Sequence, residues 1–224
     1  MSDKKHTGIT KQFLDWIYTK ALNGFGGADS AYILAESYLK GKGTIDQKVN
    51  SLIKWQTAKS ATSGFLSGFG GFVTIPFTIP ANVASVIYIQ IRMIAAIAYM
   101  GGHDIRDDKV KTLTYICMAG NSAKELLKEV SIRAGEKALT HAIQKASVQT
   151  VSAINQKAGQ KALSKLGVKG IANAGKIIPV VGGLISGSYD AISTKAVGMA
   201  AKKIFIDNNF KNIEDPEADI LPEK

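Results

Sequence analysis

The run GFLSGFGGFVTIPFTIPANVASVIYIQIRMIAAIAYMGG, residues 64–102, decides how this chain folds. It holds one charged side chain, Arg92, between Lys59 on one side and His103 and Asp104 on the other. Its first half is interrupted by Gly64, Gly68, Gly70, Gly71, Pro76 and Pro80. Glycine weakens a helix and proline removes a backbone donor, so no long regular helix is expected there. Residues 81–100 contain neither breaker. As a helix they would rise about 30 Å, the thickness of a bilayer core.

Length alone does not make this segment a membrane span. Its isoleucines and valines favour insertion by roughly 0.3–0.6 kcal/mol each, and an arginine near the middle opposes it by about 2.5–3.5 kcal/mol. Asn82 and Gln90 add to the cost. The two sides nearly cancel. The composition therefore predicts a helix buried on all sides by other helices, which also reads as apolar all round. A true span, and a hairpin that enters the membrane only when triggered, are the alternatives.

Outward from this centre the pattern is helical throughout. Ile9, Phe13 and Ile17 recur at helical spacing and Asn23-Gly24 ends that segment. Asp29 is placed to cap a second helix running through Leu39. Thr44-x-x-Gln47 has the form of a capping box and opens a third, expected to reach about Gly64. Asp107 and Asp108 suit the first turn of a helix over 107–118, and Ser122-x-x-Glu125 offers another capping box. An alanine-rich stretch follows to Leu166. No stretch of useful length alternates with period two. The expected class is all-α, a multi-helix bundle around a buried apolar central helix and a helical hairpin. One domain is expected over 1–206, followed by an acidic tail over 207–224.

Residues 177–206 echo the central run. Ile178-Pro179 opens them as Ile79-Pro80 opens the first, and Asp190 stands about where Gln90 and Arg92 stand. A lone buried charge is costly, and two opposite ones can compensate each other. The spacing therefore predicts that Arg92 and Asp190 pair in the interior, with Gln90 satisfying leftover groups.

The formal net charge is +10, which points to anionic partners. Between Lys137 and Lys176 there is no acid. Lys157, Lys161 and Lys165 recur every four residues, and Lys145 and Lys169 extend the basic run. A solvated face explains such a run; a surface for anionic lipid is the functional reading. Nucleic acid is disfavoured because aromatic side chains that could stack on bases are nearly absent there. The N-terminus lacks the apolar core of a signal peptide, which predicts a cytoplasmic protein peripherally associated with the membrane. Cys117, the single cysteine, sits among apolar neighbours and reads as a buried small hydrophobe.

Catalytic motifs do not emerge. Gly170 to Lys176 resembles a phosphate-binding loop, yet Ile177 stands where Ser or Thr must hold magnesium. His6, His103 and His141 lack zinc-ligand spacing, and no GxSxG elbow exists. His103, Asp104, Asp107 and Asp108 form either a cation cluster or, more simply, a turn and helix cap. No cofactor is called for.

The Gly-Gly opening, Gln90-x-Arg92, the alanine-rich turn before Gly101 and Asp104, and Pro-x-x-Gly-Gly at 179–183 together resemble the EcsC family. The resemblance implies a helical bacterial protein, encoded in some members beside an ABC transporter linked to secretion. The family assigns no catalytic residues, so none carry over. The leading expectation is a non-enzymatic protein at the cytoplasmic face of the membrane, alone or with a membrane protein complex. The rivals are a hydrolase with a site near Arg92 or His103, and an effector with a buried hydrophobic hairpin that inserts into the membrane on triggering.

Overall fold

The computed structural model describes residues 2–61, 81–119, 143, 146–165 and 183–207. The described residues form seven α-helices and no strand. They are α1 (Ser2–Asn23), α2 (Ala31–Leu39), α3 (Ile45–Ala61), α4 (Ala81–Met100), α5 (Asp108–Ala119), α6 (Val148–Lys165) and α7 (Gly183–Lys202). A π-helical turn, Lys203–Asp207, continues directly from α7.

The apolar run places α4 where its composition demands. Every residue from Ala84 to Ala98 is buried. Around it pack α1, α2, α3, α5, α7 and the π turn. It is the one described helix long and apolar enough to cross a membrane, and 89% of Val83–Met100 is covered by protein. It is therefore a bundle core in this fold, as the near-cancellation of insertion terms predicts. Gly102, at φ 80°, ends it. The amide of His103 bonds to Ala98 O at 3.1 Å and that of Gly102 to Tyr99 O at 2.8 Å, the paired bonds of a Schellman cap.

Local rules explain the other boundaries. The capping box at α3 forms in both directions: Thr44 N–H donates to Gln47 Oε1 at 3.0 Å, and Gln47 N–H to Thr44 Oγ1 at 3.3 Å. The cap of α2 is Ser30, one residue later than the sequence suggests, with Ser30 Oγ accepting from Ile33 N–H at 3.1 Å. That leaves the carbonyl of Asp29 for another partner. Asp107 caps α5, its Oδ1 accepting from Lys109 N–H at 2.8 Å.

Two tyrosines fasten α1 across the bundle. Tyr18 OH donates to Ile105 O at 2.9 Å, and Tyr115 OH to Leu14 O at 3.1 Å. Burial raises both phenols far above their ordinary range, so they remain neutral donors. On the opposite side α3 and α7 run antiparallel. Asp46 meets Lys202 at one end, Ile53 meets Gly198 in the middle, and Ser60 Oγ donates to Asp190 O at 3.4 Å at the other end. α6 lays Val151, Ile154 and Ala158 against α5 and α1. Residues 64–80, where no long regular helix is expected, the Ser122 capping box and the acidic tail beyond Asp207 lie outside the described residues.

Candidate functional site

The polar groups inside the apolar core are the first place to look for chemistry. Gln90 and Arg92 are two residues apart on a helix, so they project about 200° apart, to nearly opposite sides of α4. Gln90 faces α7, where its Nε2 lies 3.3 Å from both Ser193 Oγ and Thr194 Oγ1. Arg92 faces the α1–α2 turn and α3. Its Nη1 donates to Asp29 O at 3.1 Å and its Nη2 to Gln56 Oε1 at 3.2 Å. The guanidinium carbon also stands 5.5 Å from the centre of the Tyr88 ring. Only 4% of Arg92 is exposed, and desolvation pulls its pKa down while Tyr88 and Asp29 oppose the shift.

This geometry corrects the expected ion pair. Arg92 is satisfied by a backbone carbonyl, an amide oxygen and a ring face, and no Arg92–Asp190 salt bridge forms among the described residues. Asp190 is half-buried, and burial alone raises its carboxyl above the ordinary value, with no contribution from Arg92. The parallel between the two apolar runs is real in sequence but does not place their charges together. Gln90 does bind α7, through Ser193 and Thr194 and not through Asp190. Two donors of the Arg92 cluster, Arg92 Nε and Gln56 Nε2, are buried without a protein acceptor.

The segment His103, Asp104, Asp107 and Asp108 divides into separate structural tasks. The His103 ring is buried against Phe205, with centroids 5.4 Å apart. Its Nε2 lies 3.2 Å from Phe205 O. A carbonyl can only accept, so Nε2 carries the proton. Asp104 Oδ1 accepts from Arg106 N–H at 2.9 Å, Asp107 caps α5, and Asp108 opens that helix. No group of three or more potential metal ligands gathers among the described residues. The four residues are a turn and a cap. Arg92 and His103 are each committed to a different part of the bundle, the first to the α1–α2 turn and α3, the second to the π turn.

The basic residues are resolved unevenly. Lys157 is half-buried at the border of the packed face of α6, beside Ala158, and is not at the centre of a solvent face. Lys161 and Lys165 continue the same helix, but their side chains, like Lys145 and Lys169 altogether, lie outside the described residues. A second surface is clearer and was not anticipated from sequence. On α7, Ser193, Thr194, Val197 and Ala201 face the core. The opposite side carries Ile192, Lys195 and Met199 at intervals of three and four, and Lys203 at the start of the π turn continues the line. Ile192 is 70% exposed and Met199 47%. The 3.6-residue period contains this stripe, but the stronger apolar signal of the whole segment hides it.

Cys117 is buried, and burial pushes its thiol up to about 12, which suppresses the thiolate that reactivity requires. A cleft of about 510 Å³ lies between α1, α5 and α6, beside the Asp15–Lys111 ion pair, with Tyr115, Val151 and Asn155 in its wall.

Neither a curated protein nor a solved structure matches this chain. The model of the EcsC protein family does, over residues 34–206. That span runs from α2 to the π turn and takes in the buried α4, Arg92 with Tyr88 and Gln56, and the α7 stripe. The chain belongs to the EcsC protein family.

Proposed function

We propose that this protein acts without a catalytic site of its own at the cytoplasmic face of the membrane, meeting anionic lipid through exposed basic and apolar side chains while its core stays folded in water. The observation that carries the reading is the outward stripe of α7. Isolated exposed apolar residues are ordinary on protein surfaces. Here two lie on one helix side with a lysine between them and another beyond, opposite the side that packs. Such an arrangement suits a helix lying in the interface, its apolar side chains dipping below the headgroups while lysine stems reach back to phosphates. The net charge of +10 adds a long-range attraction of the same sign.

Flotation with phosphatidylglycerol vesicles and with neutral glycolipid vesicles tests this reading. Binding is expected only to the anionic vesicles and should fall as salt rises, because each lysine near the surface contributes about 1 kcal/mol. Replacing Ile192 and Met199 together by serine should weaken binding by about tenfold or more, from roughly 1 kcal/mol or more of lost apolar burial at each site. Replacing Lys157, Lys161 and Lys165 by glutamine should reduce the salt dependence if α6 shares the contact. Equal binding to both vesicle types, or an unchanged affinity in the Ile192/Met199 variant, would contradict the proposal.

A further inference from the structure

The outward stripe of α7 suits an anionic amphipath, and the chain carries one of its own. Residues 213–223, IEDPEADILPE, hold five of its eighteen acidic residues, three large aliphatic ones (Ile213, Ile220 and Leu221) and no basic one. The stripe has the complementary pattern. Ile192 and Met199 are its exposed apolar members, and the exposed Lys195 lies between them. Lys54 adds a second cation. Its neighbour Ile53 packs on Gly198, so the exposed Lys54 stands at the level of Met199 along the α3–α7 seam. Lys202 Nζ donates to Asp207 Oδ1 at 3.1 Å and also pairs with Asp46, which fixes Asp207 at the C-terminal end of α7. From Asp207 to Ile213 the chain spans up to about 20 Å, and Ile192 and Met199 are only about 10 Å apart by helical rise. Residues 213–223 can therefore reach the whole stripe.

We infer that residues 213–223 bind the α7 stripe when no membrane is present, and that anionic lipid displaces them. Their acids meet Lys195 and Lys54, and their aliphatic side chains meet Ile192 and Met199. The choice of this occupant follows from the tether. A segment joined to the stripe by so short a connection meets it at about millimolar effective concentration, so a weak contact suffices. Exposed charge pairs are individually weak and screened by salt, which makes the contact reversible. Lipid phosphates and these carboxylates then compete for the same lysines. The displacement by lipid rests on the proposed membrane contact; the binding of the segment to the stripe does not.

Two readouts on the full chain without lipid test the binding. A carbodiimide joins lysine to a carboxylate only where the two touch. It should link Lys195 to acids of 213–223 at low salt, independently of protein concentration, with a yield at least threefold lower at high salt. Peroxide should oxidise Met199 at least twofold faster in a chain carrying Glu214→Gln, Asp215→Asn, Glu217→Gln and Asp219→Asn, with the buried Met93 unaffected. Flotation tests the displacement. The fourfold variant should bind phosphatidylglycerol vesicles at least threefold tighter than the parent chain. Adding Ile192→Ser with Met199→Ser should abolish that gain, whereas a gain from net charge alone would survive. Links confined to lysines remote from α7, links that grow with protein concentration, or an unchanged Met199 rate would overturn the binding. A surviving gain, or none, would overturn the displacement. If neither chain floats, the membrane contact itself fails, and the lipid-free readouts decide the binding alone.

Discussion

Replacing Arg92 by alanine is expected to cost about 3–5 kcal/mol, measured by denaturant or thermal unfolding. Truncation leaves a cavity beside Tyr88 and strands Asp29 O and Gln56 Oε1, both of which accept from this side chain. For a chain of this size each kcal/mol lowers the melting temperature by roughly 2–4 °C. Methionine at the same position should cost less, about 1–2 kcal/mol, because it fills the space and removes the buried Nε donor that lacks an acceptor. A double-mutant cycle of Arg92→Met with Asp190→Leu should be additive within about 0.5 kcal/mol. Strong coupling would restore the ion pair that the structure replaces. Asp190 carries its own signature. Burial places its folded pKa above the unfolded value, so the folded chain holds more protons between the two values, and stability rises as pH falls through that window. Asp190→Asn should flatten that rise, and Arg92→Met should leave it unchanged.

Gly198→Leu should be comparably damaging, with a loss of about 3 kcal/mol or more. Gly198 lies where α7 packs tightly on α3 and α4. A Cβ there would stand 2.9 Å from Ile53 Cγ1 and 3.0 Å from both Ile53 Cγ2 and Met93 Cε. The Ile53 atoms branch directly from its own Cβ and cannot swing aside as a flexible tip would. Gly198→Ala separates the causes. Alanine gains about 1 kcal/mol of helix propensity and loses a similar amount to crowding, so its net effect should lie near zero. If leucine were tolerated as well as alanine, α3, α4 and α7 would not meet as described.

Much of this architecture is legible in the residues. The breaker-free run after Pro80 gives α4 from Ala81 to Met100, and Thr44-x-x-Gln47 gives the start of α3 together with its two reciprocal bonds. Both are local rules, and local rules can be read from a linear string. The opposite projection of Gln90 and Arg92 is also present in their spacing, and it already argues against one shared ion-pair site. The partner of Arg92 is a different matter. A carbonyl such as Asp29 O leaves no trace in residue identity, and its availability depends on the cap of α2 falling at Ser30. Gln56 is one polar residue on an otherwise ordinary helix, and only the packing of α3 on α4 turns it towards the guanidinium. A groove between Tyr32, Glu36 and Tyr99 is likewise tertiary, made by residues far apart in sequence. The α7 stripe was readable by period, but its exposure depends on which side the bundle covers.

The central claim is that α4 remains a protein-covered core while α7 meets the membrane. Hydrogen exchange followed by mass spectrometry, with and without phosphatidylglycerol vesicles, tests both halves in one measurement. Exchange in α7 should slow on the vesicles, while exchange in α4 stays as protected as it is in solution. If α7 is unchanged on bound vesicles, or if α4 loses its solution protection and regains it only with lipid, the account is contradicted.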